Sequence, residues 1–321
     1  MVRIGPTLAG KSGLSDSEAE TIARSFKDAM KGFGTDEQRI IKEICALTNA
    51  QRQIVEDRYQ ALYGHTLEED LKSELRGDFE DIVIALLKPR FDYEAECIKN
   101  AMRGFGTREH VIIELLCTKE SAEIEKLKEA YKRIYGSDLE NDLVGEEDGP
   151  LGRIFRSLAT GDRPSGPSVD LGLAQKEAQE LYDAGEGKFG TEENELVRVL
   201  VSRSFAQLKA TFAEYQKIAG KEIEVAIKGE TEGHLEDALV AITQSIHDRS
   251  AFFARQIDRC LRVPGTKEKD LIRIIVSRCE VDMGDIKQDY KALFNKSLYD
   301  ELKQELRGDF EEIVLKLVGS D

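Results

Sequence analysis

A chain of 321 residues can bury a large core, and its balance of 40% hydrophobic and 34% charged residues is that of a folded globular protein and excludes a disordered one. Lys and Arg number 46 against 62 Asp and Glu, so the formal net charge is -16. That charge disfavours a direct electrostatic grip on nucleic acid or on an anionic bilayer, and any anionic partner requires a bridging cation. The segment from Met1 to Ser15 lacks the basic-then-apolar pattern of a secretory signal, and no stretch approaches the roughly 20 apolar residues that span a bilayer. A cytoplasmic, non-integral protein is expected. Cys45, Cys97, Cys117, Cys260 and Cys279 form no CxxC pair and mostly sit in apolar helical pattern, so they are expected as buried reduced thiols.

In chain order, Ser15-Asp16-Ser17-Glu18 reads as a capping box opening a helix that runs to about Met30, with Ile22 and Phe26 on its apolar face. Met30-Lys31-Gly32-Phe33-Gly34-Thr35 stops it, and Thr35 is the expected N-cap of a second helix carrying Ile40, Ile41, Ile44 and Cys45. A third helix follows Asn49, with Ile54, Tyr59 and Leu62 inward, and ends near Gly64. A fourth runs from Leu67 to Leu75. Gly77 breaks it, and Asp78 is expected to cap a fifth helix bearing Phe79, Ile82, Val83 and Leu86. No period-2 strand pattern appears.

The block then repeats. Adding 72 carries Gly32, Gly34, Tyr59 and Gly64 onto Gly104, Gly106, Tyr131 and Gly136, and adding 156 carries Gly34, Tyr59 and Gly64 onto Gly190, Tyr215 and Gly220. Adding 231 turns Leu71-Lys72-Ser73-Glu74-Leu75-Arg76-Gly77-Asp78-Phe79 into Leu302-Lys303-Gln304-Glu305-Leu306-Arg307-Gly308-Asp309-Phe310. A fourfold internal repeat of five-helix units follows, an all-α architecture. The expected segments are a tail at 1–14, repeats at 15–88 and 89–160, a Pro/Gly-rich linker at 161–172, and repeats at 173–247 and 248–321. The other joints are short, so the repeats are expected to pack as one body.

A glycine loop at a helix end frees backbone carbonyls, because the last turn has no intrahelical donors for them. Glycine lets those carbonyls converge, and a hard cation such as Ca²⁺ takes carbonyl oxygens together with a carboxylate. The carboxylate candidate lies 42 residues after the first loop glycine: Gly32 pairs with Glu74 and Gly104 with Glu146. Lys188 and Val263 hold that glycine's place in the later repeats, where the same step reaches Glu230 and Glu305.

With this loop and its distant glutamate repeated on five-helix units, the whole chain after its tail resembles the annexin family. The resemblance implies four repeats packed into a curved disc, and Ca²⁺ bound by three loop carbonyls and the later carboxylate, with a phospholipid headgroup oxygen filling an open position. It assigns Met30, Gly32 and Gly34 with Glu74, and Met102, Gly104 and Gly106 with Glu146. The third loop is one residue longer and is assigned Gly185, Lys188 and Gly190 with Glu230. The fourth, Leu261, Val263 and Gly265 with Glu305, is the weakest match, because Val263 and Pro264 restrict the backbone. Each loop offers only one carboxylate, so weak affinity in solution and reciprocal coupling of Ca²⁺ to anionic, phosphatidylserine-like lipid are expected. Phe33, Phe105 and Phe189 at the loop tips either dip into the interface or pack on neighbouring helix ends.

No P-loop or EF-hand sequence is present, and Arg76-Gly77-Asp78 reads as a helix junction, not an integrin motif. Neither His65, His110, His234 and His247 nor the serines and cysteines show a catalytic spacing, so no enzyme is expected. The leading reading is a non-enzymatic, Ca²⁺-dependent protein that associates reversibly with anionic membranes and organises or traffics them; the alternative is an all-helical scaffold for protein partners. Self-association on membranes and release from the cell without a signal peptide are compatible with the resemblance. The tail lacks an amphipathic helix, so no dedicated protein partner is expected for it.

Overall fold

The computed structural model describes residues 3–10, 13–32, 34–103, 106–144, 149–185, 193–263 and 267–320. Repeat 1 comprises α1 (Asp16–Ala29), α2 (Glu37–Cys45), α3 (Asn49–Tyr63), α4 (Leu67–Glu74) and α5 (Gly77–Leu87). Repeat 2 comprises α6 (Arg90–Ala101), α7 (Glu109–Cys117), α8 (Ser121–Tyr135), α9 (Leu139–Leu143) and α10 (Gly149–Ala159). Repeat 3 begins with α11 (Leu171–Gly185), α12 (Glu193–Ser202), α13 (Phe205–Ala219) and α14 (Ile223–Glu230), and its fifth helix is the first half of α15 (Gly233–Arg262). Asp248 breaks α15 with an extended backbone (φ -156°, ψ 103°), and its carboxylate caps the second half by accepting from Ala251 N at 3.1 Å. Repeat 4 therefore starts there and continues through α16 (Glu268–Arg278), α17 (Met283–Phe294), α18 (Leu298–Glu305) and α19 (Gly308–Val318). All the regular structure among the described residues is helical, and none of those helices is long and apolar enough to cross a membrane.

Local sequence explains the boundaries. Ser15 and Glu18 form the expected capping box, the Glu18 carboxylate accepting from Ser15 N at 2.9 Å. Thr48 and Gln51 form another, so the cap of α3 is Thr48 and Asn49 is already helical. Two expectations are corrected. Asp36, not Thr35, caps α2, accepting from Arg39 N at 3.0 Å; Asp78 lies inside the first turn of α5, behind an extended Arg76 that offers no side-chain cap. The third helix of every repeat ends on a left-handed residue, Gly64, Gly136, Gly220 and Asn295, asparagine being the non-glycine residue that tolerates this best.

The helices sort into two compact units. One is Met1–Tyr93 with Phe253–Asp321, holding repeats 1 and 4; the other is Glu94–Phe252, holding repeats 2 and 3. In the first, α5 packs on α16 and α19 packs on α2 and α5; in the second, α10 packs on α12 and α11 on α13. Tyr59, Tyr131, Tyr215 and Tyr290 occupy one register and are all buried, so each repeat places the same phenol in its core. Val55 shares that buried face of α3, whereas Ile54 and Leu62, expected inward, are only half-buried. Cys45, Cys117, Cys260 and Cys279 are buried, Cys97 is half-buried, and none of the five is in a disulfide. Residues 4–8 of the tail run along repeat 4, where Thr7 N and Leu8 N both donate to Cys279 O at 3.1 and 3.0 Å.

Candidate metal centre

The first loop begins where α1 runs out of intrahelical donors. Met30 is its C-cap (φ -98°, ψ 9°), and the chain then turns through Gly32 (φ +108°) and Gly34 (φ +94°), angles that L side chains rarely adopt. A Cβ at either glycine meets nothing within 4 Å, so glycine is needed there for backbone angle and not for space. Asp36 N closes the loop by donating to Ala29 O at 2.8 Å. No donor among the described residues reaches the carbonyl oxygens of Met30, Gly32 or Gly34.

The carboxylate arrives from α4. Glu74 is the last residue of that helix, and the chain reverses after it through buried Leu75, extended Arg76 and left-handed Gly77 (φ +66°). Arg76 Nη1 donates to Lys72 O at 3.1 Å and also to Leu75 O, which satisfies carbonyls at the end of α4. Thr35 Oγ1 donates to Glu74 Oε2 at 3.2 Å, so Glu74 stands against the loop. Thr35 and Asp36 are both cap-type residues, and pattern alone misassigned Thr35; with Asp36 capping α2, the threonine hydroxyl is available to the carboxylate.

The later copies keep this frame wherever they are described. Arg108 N donates to Ala101 O at 2.9 Å and Lys267 N to Cys260 O at 3.2 Å, each seven residues apart as in the first loop. Gly106 has φ +93°. Gly185 ends α11, Glu230 ends α14, Glu305 ends α18, and Leu261 lies in the last turn of α15 with Val263 just beyond it. Met102 follows α6 directly, its N–H donating to Ile98 O at 3.1 Å. Gly233 and Gly308 repeat the left-handed turn of Gly77 after Glu230 and Glu305. Gly104, Glu146, Lys188, Gly190 and Gly265 lie outside the described residues, as do Phe33, Phe105 and Phe189.

A second cluster sits one turn behind the first site. Lys27 of α1 reaches Asp70 Oδ2 of α4 at 2.9 Å, and the Tyr59 hydroxyl of α3 donates to the same oxygen. Repeat 2 carries the same trio at the same offset: Lys99 lies 2.8 Å and the Tyr131 hydroxyl 2.6 Å from Asp142 Oδ2. Burial raises the Asp70 carboxyl, but the hydrogen bonds from Tyr59 and Lys27 outweigh it and hold the group below the ordinary aspartate range. For Asp142 the hydrogen bond from Lys99 leads and the direction is the same. Burial, then the adjacent Asp70, pushes the Tyr59 hydroxyl well up, so it stays a donor. The sequence reading missed these trios, although the 72-residue offset that located the loops also relates Lys27, Tyr59 and Asp70 to Lys99, Tyr131 and Asp142.

The first loop and the end of α4 present three neutral carbonyls and one exposed carboxylate, and among the described residues no three His, Cys, Asp or Glu side chains converge as a metal cage. That set fits a hard cation such as Ca²⁺ with part of its oxygen shell left for another molecule, and does not fit a soft metal.

The annexin family model matches residues 22–86, 93–158, 176–242 and 252–317. The chain is 42% identical over 296 residues to annexin A13 of Homo sapiens, an alignment covering 92% of this chain and 94% of that protein. Its fold matches that of annexin III with a TM-score of 0.95 at 39% identity, over 100% of this chain and 98% of the other. It matches calcium-bound annexin (Sm)1 with a TM-score of 0.86 at 29% identity, over 98% and 93% of the two chains. With four family matches on four five-helix repeats, the chain belongs to the annexin family.

Proposed function

We propose that the chain binds anionic phospholipid membranes in a Ca²⁺-dependent manner, with the cation bridging the protein's loop oxygens to lipid headgroups. The observation that carries this reading is the Thr35–Glu74 hydrogen bond, which brings a carboxylate from α4 to a loop whose Met30, Gly32 and Gly34 carbonyls are reached by no donor among the described residues. Family membership supports Ca²⁺-dependent phospholipid binding in general, and the likeness to a calcium-bound relative supports the choice of cation. Met30, Gly32 and Gly34 supply carbonyls and Glu74 its carboxylate. Met102, Gly104 and Gly106 with Glu146 do the same in repeat 2, as do Gly185, Lys188 and Gly190 with Glu230 in repeat 3. Leu261, Val263 and Gly265 with Glu305 form the fourth site.

One carboxylate leaves the bound ion with excess positive charge, and a headgroup phosphate or carboxylate oxygen completes its shell. Lipid and Ca²⁺ then raise each other's affinity by the same factor. The ion also offsets the repulsion between a chain of net charge -16 and an anionic surface. The role is one of reversible recruitment, with no bond made or broken.

Co-sedimentation with phosphatidylserine vesicles tests this. Binding is expected at millimolar Ca²⁺ and reversed by chelation, and Glu74→Gln combined with Glu230→Gln is expected to raise the Ca²⁺ requirement. A chain that stays in the supernatant with Ca²⁺, or a double variant with an unchanged requirement, refutes it and favours a protein-binding scaffold.

A further inference from the structure

We propose that the Lys27–Asp70–Tyr59 trio and its copy Lys99–Asp142–Tyr131 are positioning devices that hold each metal-binding loop at a set distance from its remote glutamate, and that repeat 3, which lacks both charges, holds its site less firmly. The proposal rests on the site reading above.

The geometry is specific to the two halves of the site. Lys27 lies three residues before Met30, in the last turn of α1, and Asp70 lies one turn before Glu74 in α4. α1 and α4 each pack on α3, and α3 contributes Tyr59, so three helices meet at one carboxylate. The ammonium of Lys27 also stands 6.0 Å from the ring centre of Tyr59 and 5.4 Å from that of Tyr63; Lys99 stands 5.7 and 5.6 Å from Tyr131 and Tyr135. His65 Nδ1 approaches Asp70 Oδ1 at 3.0 Å, and Ser137 Oγ approaches Asp142 Oδ2 at 2.9 Å. Both carboxylates are thus held from several directions. A change in how α4 sits against α1 moves Glu74 relative to the loop carbonyls, and the trio opposes that change.

Repeat 4 keeps the link with its cation moved to another residue. Asp258 stands at the register of Lys27 and Glu301 at that of Asp70. Arg262, one turn later, joins the two at 3.0 and 2.7 Å, while the Tyr290 hydroxyl donates to Asp258 Oδ1 at 2.9 Å. The bridge between the first and fourth helices survives the loss of the lysine: the fourth-helix carboxylate is kept and Arg262 supplies the cation. In repeat 3, Tyr182 stands at the lysine register once the extra loop residue is counted, and Ala226 stands at the aspartate register. Neither carries a charge, and among the described residues no such ion pair joins α11 to α14.

The test measures the Ca²⁺ concentration for half-maximal binding to phosphatidylserine vesicles, with thermal melting recorded alongside. Asp70→Asn keeps the shape and removes the charge, and is expected to raise the Ca²⁺ needed by site 1 about tenfold, the lower end for loss of a group that orients a metal ligand. Adding Asp70→Asn to Glu74→Gln is expected to change nothing further, because the trio acts through Glu74; a merely structural loss would add to it. Introducing Tyr182→Lys with Ala226→Asp is expected to tighten the site in repeat 3. An additive loss, or a Ca²⁺ requirement unmoved by Asp70→Asn while Glu74→Gln raises it, overturns the positioning role and leaves the site reading standing. If Glu74→Gln itself changes nothing, the site reading fails and this proposal fails with it.

Discussion

Thr35 Oγ1 donates to Glu74 Oε2 at 3.2 Å, joining the loop after α1 to the end of α4 across 39 residues of chain. The carboxylate is exposed, so the bond competes with water and orients the group more than it stabilises the fold. Thr35→Val retains the shape without the donor. Its expected effect is a two- to tenfold rise, roughly, in the Ca²⁺ needed for vesicle binding, smaller than that of Glu74→Gln, with an unchanged melting temperature. A Thr35→Val effect as large as that of Glu74→Gln contradicts a merely orienting role.

Arg52 makes the opposite kind of contact, one that the fold depends on. It is 1% exposed, and its guanidinium donates to Ile44 O at 3.1 Å, Leu86 O at 3.3 Å and Glu280 Oε1 at 3.1 Å. It therefore satisfies the C-terminal carbonyls of α2 and α5 while pairing with the segment between α16 and α17. Arg52→Met leaves those acceptors in the core. The expected loss is about 2–3 kcal/mol, below the range for a fully buried pair because Glu280 keeps some solvent and the Asn49 N–H. Chemical unfolding measures it, and Arg52→Lys is expected to recover less than half, since an ammonium lacks the planar fork that serves three acceptors.

What the sequence disclosed follows from how local each signal is. The Ser15–Glu18 box and the ends of the third helices at Gly64, Gly136 and Gly220 are set within a few residues, and they were legible. The fourfold repeat was legible because Tyr59 and Glu74 recur at constant offsets. Thr35 was misread as a cap because the adjacent Asp36 takes that place, and Asp78 because α5 already starts at left-handed Gly77, behind an Arg76 whose side chain makes no cap. The Lys27–Asp70 pair was hidden for a different reason: charged residues on a helix ordinarily face water, and only the fold shows that two of them meet over a tyrosine. Docking of the tail runs largely through backbone groups, which leave no mark in a side-chain pattern.

That docking depends on a glycine. Gly284 N donates to Gly5 O at 2.8 Å, Asp285 Oδ1 accepts from Ile4 N at 2.6 Å, and Thr7 Oγ1 donates to Leu317 O at 2.6 Å. A Cβ on Gly284 stands 2.6 Å from Ile4 Cγ2 and 2.7 Å from Gly5 O, which the close approach of two backbones does not allow. Gly284→Val is therefore expected to release residues 4–8 while the repeats stay folded. Amide exchange at Thr7 and Leu8 should accelerate by about tenfold or more, with little change elsewhere in α17. Unchanged protection at those two amides argues against the steric account.

The thiols set the alkaline limit. Burial pushes the Cys117 and Cys279 thiols from 9.0 up to about 12 and Cys45 up to about 11, with nearby arginine only partly offsetting the shift. The thiolate is the reactive form, so half-buried Cys97 is expected to react first with a thiol reagent at pH 8, and Cys45, Cys117 and Cys279 only as the chain unfolds. The sign for stability follows from the same shifts. In the unfolded chain these thiols ionise near 9; in the folded chain they stay protonated to about 11 or 12. Their contribution is complete below pH 9 and is lost as pH rises toward 12, by up to about 1.4 kcal/mol per pH unit for each thiol. Urea unfolding between pH 8 and 11 measures the slope. Cys117→Ala lowers stability at pH 8 by leaving a small cavity, but its stability is expected to decline less steeply with pH than that of the parent chain. Equal slopes mean that Cys117 does not limit alkaline stability.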